Sequence, residues 1–358
     1  MKKNSASLHN KIYRKTRLIV YKKMGLEKSC LSFYETYRKG KKWLKKHEIS
    51  EYDVNLGKEG QYYPDHTSIG SNIYFAQIPN EGAGIGHQIA NYNSGLRLAL
   101  RYGVSHAYSI FKSEAWDRFL GFGRFEPTIH ALVQGGYKVK KLPSIGAMGG
   151  KYLDAIVNYY KESGEKVILL TQIDEGYAEQ FGVIPYIKRK FERAEARQDD
   201  EKVLGQYANT ILHKDEGDYI NIAVHIRRGD ITSGQQSGDT QLTQRWLNND
   251  YYKKIISQLA DKYKDKKINI FVFSQGNKED FKFLEPYGDV YYCIDSSAMQ
   301  SFLCMVRADV LVTSKSSFSY KPALLSDGIR ICPSGFWHGY PDDQKWIVAG
   351  EDGKIKEL

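Results

Sequence analysis

From residue 219 onward the chain alternates short apolar runs with longer amphipathic segments: YINIAVHI, WLNNDYYKKIISQLADKY, INIFVFS, KEDFKFL, DVYYCI, SAMQSFLCMVRA, DVLVTS, YKPALLSD and IRICPS. The apolar runs have strand length and β-branched composition. The segments between them are long enough to cross back over a sheet, so the pattern predicts parallel strands covered by helices on both faces. In the first amphipathic segment Tyr252, Ile256, Leu259 and Tyr263 recur at spacings of four, three and four, which puts one apolar stripe against that sheet. Pro322 fits the first turn of the last helix, and Gly328 reads as its stop.

The preceding part opens in the same way. A strand, NIYFAQI, leads into the glycine-rich loop PNEGAGIG and then into a helix on which Ile85, Ile89, Tyr92, Leu96 and Ala99 keep the helical rhythm. Further strands are predicted at SHAYSI, YKVKKL and KVILLTQ, with helices near 151–163 and 185–204. The 358 residues suffice for two domains. The α/β reading divides them into an arm (1–50), an N-terminal α/β domain (51–215), a C-terminal Rossmann-like domain (216–345) and a tail (346–358).

The arm holds the charge. Residues 1–50 carry 15 Lys and Arg against 3 Asp and Glu, a net +12, while the remaining 308 residues sum to −2. Lysines interleaved with Tyr, Leu, Ile, Phe and Trp suit an amphipathic segment on an anionic membrane surface, reached through residues 1–48. Its apolar runs are far shorter than the ~20 residues a bilayer crossing needs. Without a basic excess in the body, nucleic acid is not an expected partner. Cys30, Cys293, Cys304 and Cys332 are too widely spaced for a paired metal or redox motif. They read as free thiols in a reducing compartment, which places the protein in the cytoplasm, peripheral to the inner face of the membrane.

Ligands of open parallel sheets bind beyond the carboxyl ends of the strands, so the residues following each strand are the informative ones. Here they are His225, Arg227, Arg228 and Asp230, then Ser274 and Gln275, Asp295, then Ser314, Ser316 and Ser317, and finally Ser334. Period-two alternation sets Ile222, Val224 and Ile226 on one face of the first strand and Ala223, His225 and Arg227 on the other. Two guanidinium groups, a run of hydroxyls and a helix start after SSFS match the oxygens of a phosphate.

The runs VHIRRGD (224–230), YYKKIISQLADKYKDKKINIFVFS (251–274) and ADVLVTSKSSFS (308–319) resemble, in order, the motifs of the inverting α-1,2-fucosyltransferases. More distantly they are similar to the α-1,6- and protein O-fucosyltransferases. The resemblance covers about 120 residues of the second half. It implies a GT-B-type fold of two Rossmann-like domains facing a cleft, a GDP-fucose donor, inversion at the sugar carbon and no obligatory metal or other cofactor. It further implies that Arg227 grips the pyrophosphate, that His225 and Asp295 lie near the guanine or ribose, and that Ser316, Ser317 and Phe318 line the phosphate and nucleoside edge. Arg228 and Asp230 would brace the motif and shape the sugar pocket.

The resemblance extends less fully into the first half, where Gly84, Ile85, Gly86, His87 and Gln88 stand in the place of a GGLGNQ-like donor loop, His87 replacing the usual Asn. SFSYKPALLS departs from a family pattern with two tryptophans after SFS. Two further readings therefore stay open: a transferase using another GDP-linked deoxysugar, and a non-catalytic GDP-sugar or glycan-binding protein on the same fold. The acceptor would be a glycan or a lipid-linked oligosaccharide, as in polysaccharide biosynthesis. Glu81, beside the glycine loop, is the candidate general base and Asp230 the reserve. No HxH, HExxH or Cys/His cluster indicates a metal site. Arg330, Phe336, Trp337, His338 and Tyr340 read as core rather than cleft.

Overall fold

The computed structural model describes residues 71–80, 82–111, 113–142, 150–171, 179–212, 218–229, 231–232 and 243–356. The basic arm, Cys30, Glu81 and Asp230 lie outside the described residues.

The N-terminal half contains β1 (Ile73–Ala76), α1 (Ile85–Tyr102), β2 (Ser105–His106), α2 (Glu114–Leu120), α3 (Ile129–Gln134), β3 (Lys138–Lys141), α4 (Gly150–Ser163) and β4 (Val167–Leu170). Its four strands pair in the order β2-β1-β4-β3, all parallel. Alternate residues serve the two faces: Ile73, Phe75, Val167 and Leu169 pack on α4, while Tyr74, Ala76, Ile168 and Leu170 pack with residues of α3. A third group of helices follows, α5 (Ile184–Glu192), α6 (Asp200–Leu204) and α7 (Ala208–Leu212). The single helix expected over 185–204 is thus broken, the chain tightening into a 3₁₀ turn at Glu195–Asp199.

The C-terminal half contains β5 (Tyr219–His225), α8 (Asn249–Lys262), β6 (Lys267–Ser274), a 3₁₀ segment (Lys278–Tyr287), β7 (Asp289–Ile294), α9 (Ala298–Arg307), β8 (Val310–Val312), α10 (Ser317–Leu325), β9 (Ile329–Pro333) and β10 (Trp346–Ala349). The strand order is β10-β9-β8-β5-β6-β7, again wholly parallel. Both halves are therefore the mixed α/β, parallel-sheet units expected. The expected tail begins instead with an edge strand, since Trp346–Ala349 pairs with Arg330–Pro333.

Two details of the last helix differ from expectation. α10 starts at Ser317, so Pro322 is its sixth residue rather than part of its first turn. Gly328 is not in the left-handed region of a helix stop. A Cβ there would lie 2.5 Å from the carbonyl oxygens of Ala308 and Asp309, and it is this close approach that requires glycine.

The two halves share a core. Ile89 and Tyr92 of α1, Phe191 of α5, Ala223 of β5, Phe302 of α9 and Tyr320 of α10 belong to one buried cluster. Under it lies a buried charged group: the Glu126 carboxylate meets Lys190 Nζ at 2.5 Å and His106 Nδ1 at 3.0 Å, and accepts a hydrogen bond from the Tyr92 hydroxyl at 3.2 Å. Burial alone would raise the Glu126 carboxyl, but the Lys190 ammonium, with the His106 contact, outweighs it and holds it below its ordinary value. Lys190→Met leaves that carboxylate short of its main partner. It is expected to lower stability by about 3 kcal/mol in urea titrations, the size of a broken buried pair.

Candidate functional site

Strand β5 lies where the C-terminal sheet changes direction, with β6 and β7 following on one side and β8, β9 and β10 on the other. The crevice at such a switch point, beyond the carboxyl ends of the strands, is the place for a ligand. Alternation along β5 sends Ile222 and Val224 into one core and Ala223 into the other. His225, on the Ala223 face, reaches the segment following β8, where its Nδ1 lies 2.7 Å from Ser314 Oγ, and its ring sits 5.6 Å from that of Phe318. Burial, reinforced by the adjacent Arg227 charge, pushes the imidazole down to about 3. At neutral pH His225 is an uncharged hydrogen-bonding group.

Arg227 follows directly, half-buried at the same edge. Arg228 turns back into the loop. Its guanidinium lies 4.0 Å over the Trp246 ring and donates to the carbonyls of Arg227 and Leu247 and to Asn249 Oδ1, at 3.0, 3.2 and 2.6 Å. It therefore braces the Arg227 turn. Gly229 makes the bend with φ of +60°, and a Cβ there would collide with Gln275 Oε1. The strand ends beyond are laced together: Ser274 Oγ donates to the Ile226 carbonyl at 2.7 Å, and the Asp295 N–H donates to the Ser274 carbonyl at 3.1 Å. Asp295 is exposed and left-handed, with φ of 52°, a conformation an aspartate tolerates.

The serines after β8 are largely occupied in building a helix start. Ser316 Oγ accepts from the Phe318 N–H at 3.2 Å as the N-cap of α10, and Ser319 Oγ accepts from the Ser314 N–H at 3.2 Å. Against this start stands a second one. Gly84 precedes α1 as its N-cap residue, and Gly86 approaches so closely that a Cβ would lie 2.7 Å from Ser317 C and 2.8 Å from Phe318 N. The loop leading in is tied down: Gln88 Nε2 donates to the Ala83 carbonyl at 2.9 Å, and Asn91 Oδ1 accepts from the Asn80 N–H at 2.9 Å. His87 is half-buried in the first turn.

Two helix N-termini, each carrying roughly half a positive charge, thus abut beside an arginine-bearing turn. Such an edge takes an anion. Lys315, which sequence reasoning passed over although it stands inside the TSKSSFS run, occupies the same edge and pairs with Glu351 at 3.7 Å. Arg330, Phe336, His338 and Tyr340 pack as expected. Arg330 donates to the Gly328 carbonyl at 2.6 Å, and the three rings surround Tyr320. Trp337 is exposed, with the Arg245 guanidinium 5.0 Å over its ring. A cavity of about 530 Å³ lies at the amino ends of the strands instead, lined by Arg197, Asp200 and Arg307 among others.

Among the described residues no group of three or more His, Cys, Asp or Glu side chains is placed to hold a metal ion, and no helix is long and apolar enough to cross a membrane. Cys293, Cys304 and Cys332 are buried free thiols.

No family model matches the chain, and no curated protein does. Among solved structures, POFUT1 in complex with GDP is 14% identical, the match covering 73% of this chain and 98% of that one with a TM-score of 0.49. POFUT1 in complex with GDP-fucose is 15% identical over 73% and 96%, with a TM-score of 0.47. Fucosyltransferase NodZ from Bradyrhizobium is 12% identical over 72% and 94%, with a TM-score of 0.40.

The neutral His225 makes a pH prediction. Its folded value of about 3 lies below the ordinary 6.5, so between these limits the unfolded chain binds a proton that the native one refuses. The contribution to stability is present above pH 6.5, declines as pH falls, and is lost near 3. His225→Asn is expected to retain about 2 kcal/mol more of its pH 7 stability at pH 4.5 than the parent does, measured by urea titration at both pH values.

Proposed function

We propose that the chain is an inverting glycosyltransferase that moves L-fucose from GDP-fucose to a hydroxyl of a glycan acceptor, with an α-1,2-like linkage and no metal requirement. The observation that carries the reading is the meeting of two helix N-termini at Gly86 and Ser317, on the edge that bears Arg227. That edge offers backbone N–H donors and a guanidinium fork together, the donor set a diphosphate needs. The choice of fucose rests on the order of the three motifs in the second half.

In the transfer the acceptor oxygen attacks the anomeric carbon from the face opposite the diphosphate. The bond from that carbon to the phosphate oxygen breaks, and GDP departs with the electron pair. The acceptor proton passes to a carboxylate, for which Glu81 is the candidate and Asp230 the reserve. Negative charge grows on the departing phosphate, and Arg227 with the two helix ends faces it from fixed positions. Loss of one such preorganised donor costs roughly 3 to 4 kcal/mol in comparable sites. His225, being uncharged, is suited to hydrogen-bond the nucleoside, and the exposed Asp295 carboxylate is suited to accept from guanine N–H groups or ribose hydroxyls.

A thermal-shift screen of GDP, UDP, CMP and their sugars tests the donor. GDP and GDP-fucose are expected to raise Tm, with about 2.7 kcal/mol of stabilisation at 100 times Kd. Arg227→Ala should reduce transfer to a glycan panel by at least two orders of magnitude, and EDTA should leave the parent enzyme active. Stabilisation by a UDP-sugar alone, or full turnover by Arg227→Ala, would sink the proposal.

The basic arm completes the reading. Its interleaved lysines and aromatics support attachment to the cytoplasmic face of an anionic membrane, where a lipid-linked acceptor would be presented. Deleting residues 1–48 is expected to release the protein from anionic liposomes while sparing turnover on a soluble acceptor. Unchanged liposome binding would refute the anchoring role.

A further inference from the structure

One buried lysine has no part in the transfer step. Lys321 of α10 is 1% exposed, and its Nζ donates to Gln180 Oε1 at 3.0 Å. Gln180, also 1% exposed, passes the contact on to α1: its Nε2 donates to Ser94 Oγ at 3.2 Å and to the Ala90 carbonyl at 3.4 Å. Burial holds the amine well below its ordinary value. An apolar side chain of similar length would spare the cost of burying the amine but would leave the buried Gln180 Oε1 without its donor.

The position of this chain of contacts is what gives it meaning. Ser317 and Lys321 are one turn apart on α10, and Gly86 and Ala90 are one turn apart on α1. Residues four apart lie on one helix face. The seam between the two helices therefore begins at the Gly86–Ser317 approach and is tied one turn later through Lys321 and Gln180. The Gly86 contact is steric and limits only how near the backbones come, whereas the Lys321–Gln180 link is directional.

We infer that Lys321 is a positioning residue: through Gln180 it fixes the register in which the start of α10 meets the start of α1, and so holds the backbone donors of both in the arrangement that takes a diphosphate. The inference rests on the donor reading above and deepens it. It also gives a use to the lysine in SFSYKPALLS, the segment where the sequence departs from the family pattern.

The test uses the full chain and Lys321→Met, which keeps length and removes the amine. Thermal melts, GDP affinity and amide hydrogen exchange are measured on parent and variant. Tm is expected to change little, the relief of burying the amine offsetting the unpaired Gln180 Oε1, while GDP binding weakens by about fivefold to tenfold, the size of one hydrogen bond. Exchange should quicken at residues 84–90 and 316–321 only. Gln180→Leu should weaken GDP binding to the same degree, the double variant should add nothing, and Lys321→Gln, which keeps an N–H donor, should recover part of the loss. Stability and affinity falling together would mark Lys321 as merely structural and overturn the inference. Parent-like affinity and exchange in Lys321→Met would overturn it while leaving the donor assignment intact. A parent chain that binds no GDP would remove the donor assignment and this inference together, whereas unchanged exchange in the variant speaks against the register role alone.

Discussion

The structure depends on two helix ends being allowed to touch. Like ends of two helix dipoles repel, and the only atoms that let α1 and α10 approach are the hydrogens of Gly86, since any Cβ there would enter the backbone of Ser317 and Phe318. The opposing forces come from elsewhere in the joint. A shared apolar cluster pulls the halves together, and on the far side Arg307 grips Glu192 at 2.8 and 3.0 Å and Asp200 at 3.1 Å, while Lys188 pairs with Asp327. The positive edge thus lies between ion pairs on one side and the Gly86 approach on the other.

That arrangement explains how the polar residues at the strand ends divide their work. Most hydroxyls and amides there serve the protein itself. Ser316 caps, Ser319 and Ser274 tie backbone, Gln88 and Asn91 fasten the loop, and Arg228 props the turn. The same edge carries the backbone of two helix starts, the Arg227 guanidinium and a His225 ring kept neutral by burial and by that same charge. Such an edge attracts negative charge through fixed groups, which do not have to reorganise as charge develops.

Much of this was legible in the residues. Period-two alternation in YINIAVHI separates His225 from Ile222 and Val224, and the two faces do enter different cores. The run of strands from 219 onward followed from their length and composition. Elements governed by distant partners were not legible. α10 starts three residues before the helix start expected after SSFS, because Ser316 rather than Ser319 caps it, and WIVA follows a polar stretch and gains its strand character only by pairing with β9. The apolar stripe of α1 was visible, yet its Asn91, Asn93 and Ser94 are equally buried. The covering elements come from more than eighty residues away, as the Gln180 contact with Ser94 shows, and no local pattern announces them.

The core common to both sheets has a consequence for anyone wishing to recombine this chain. Although the topology suggests two exchangeable modules, Ile89 and Phe191 from one side and Phe302 and Tyr320 from the other belong to a single apolar body. A cut between residues 212 and 218 would leave each fragment with a bare greasy flank and no partner to cover it. Hybrids that graft a foreign N-terminal unit would have to carry α1 along with α10 as a matched pair, and the intact molecule should melt in one cooperative step rather than in two.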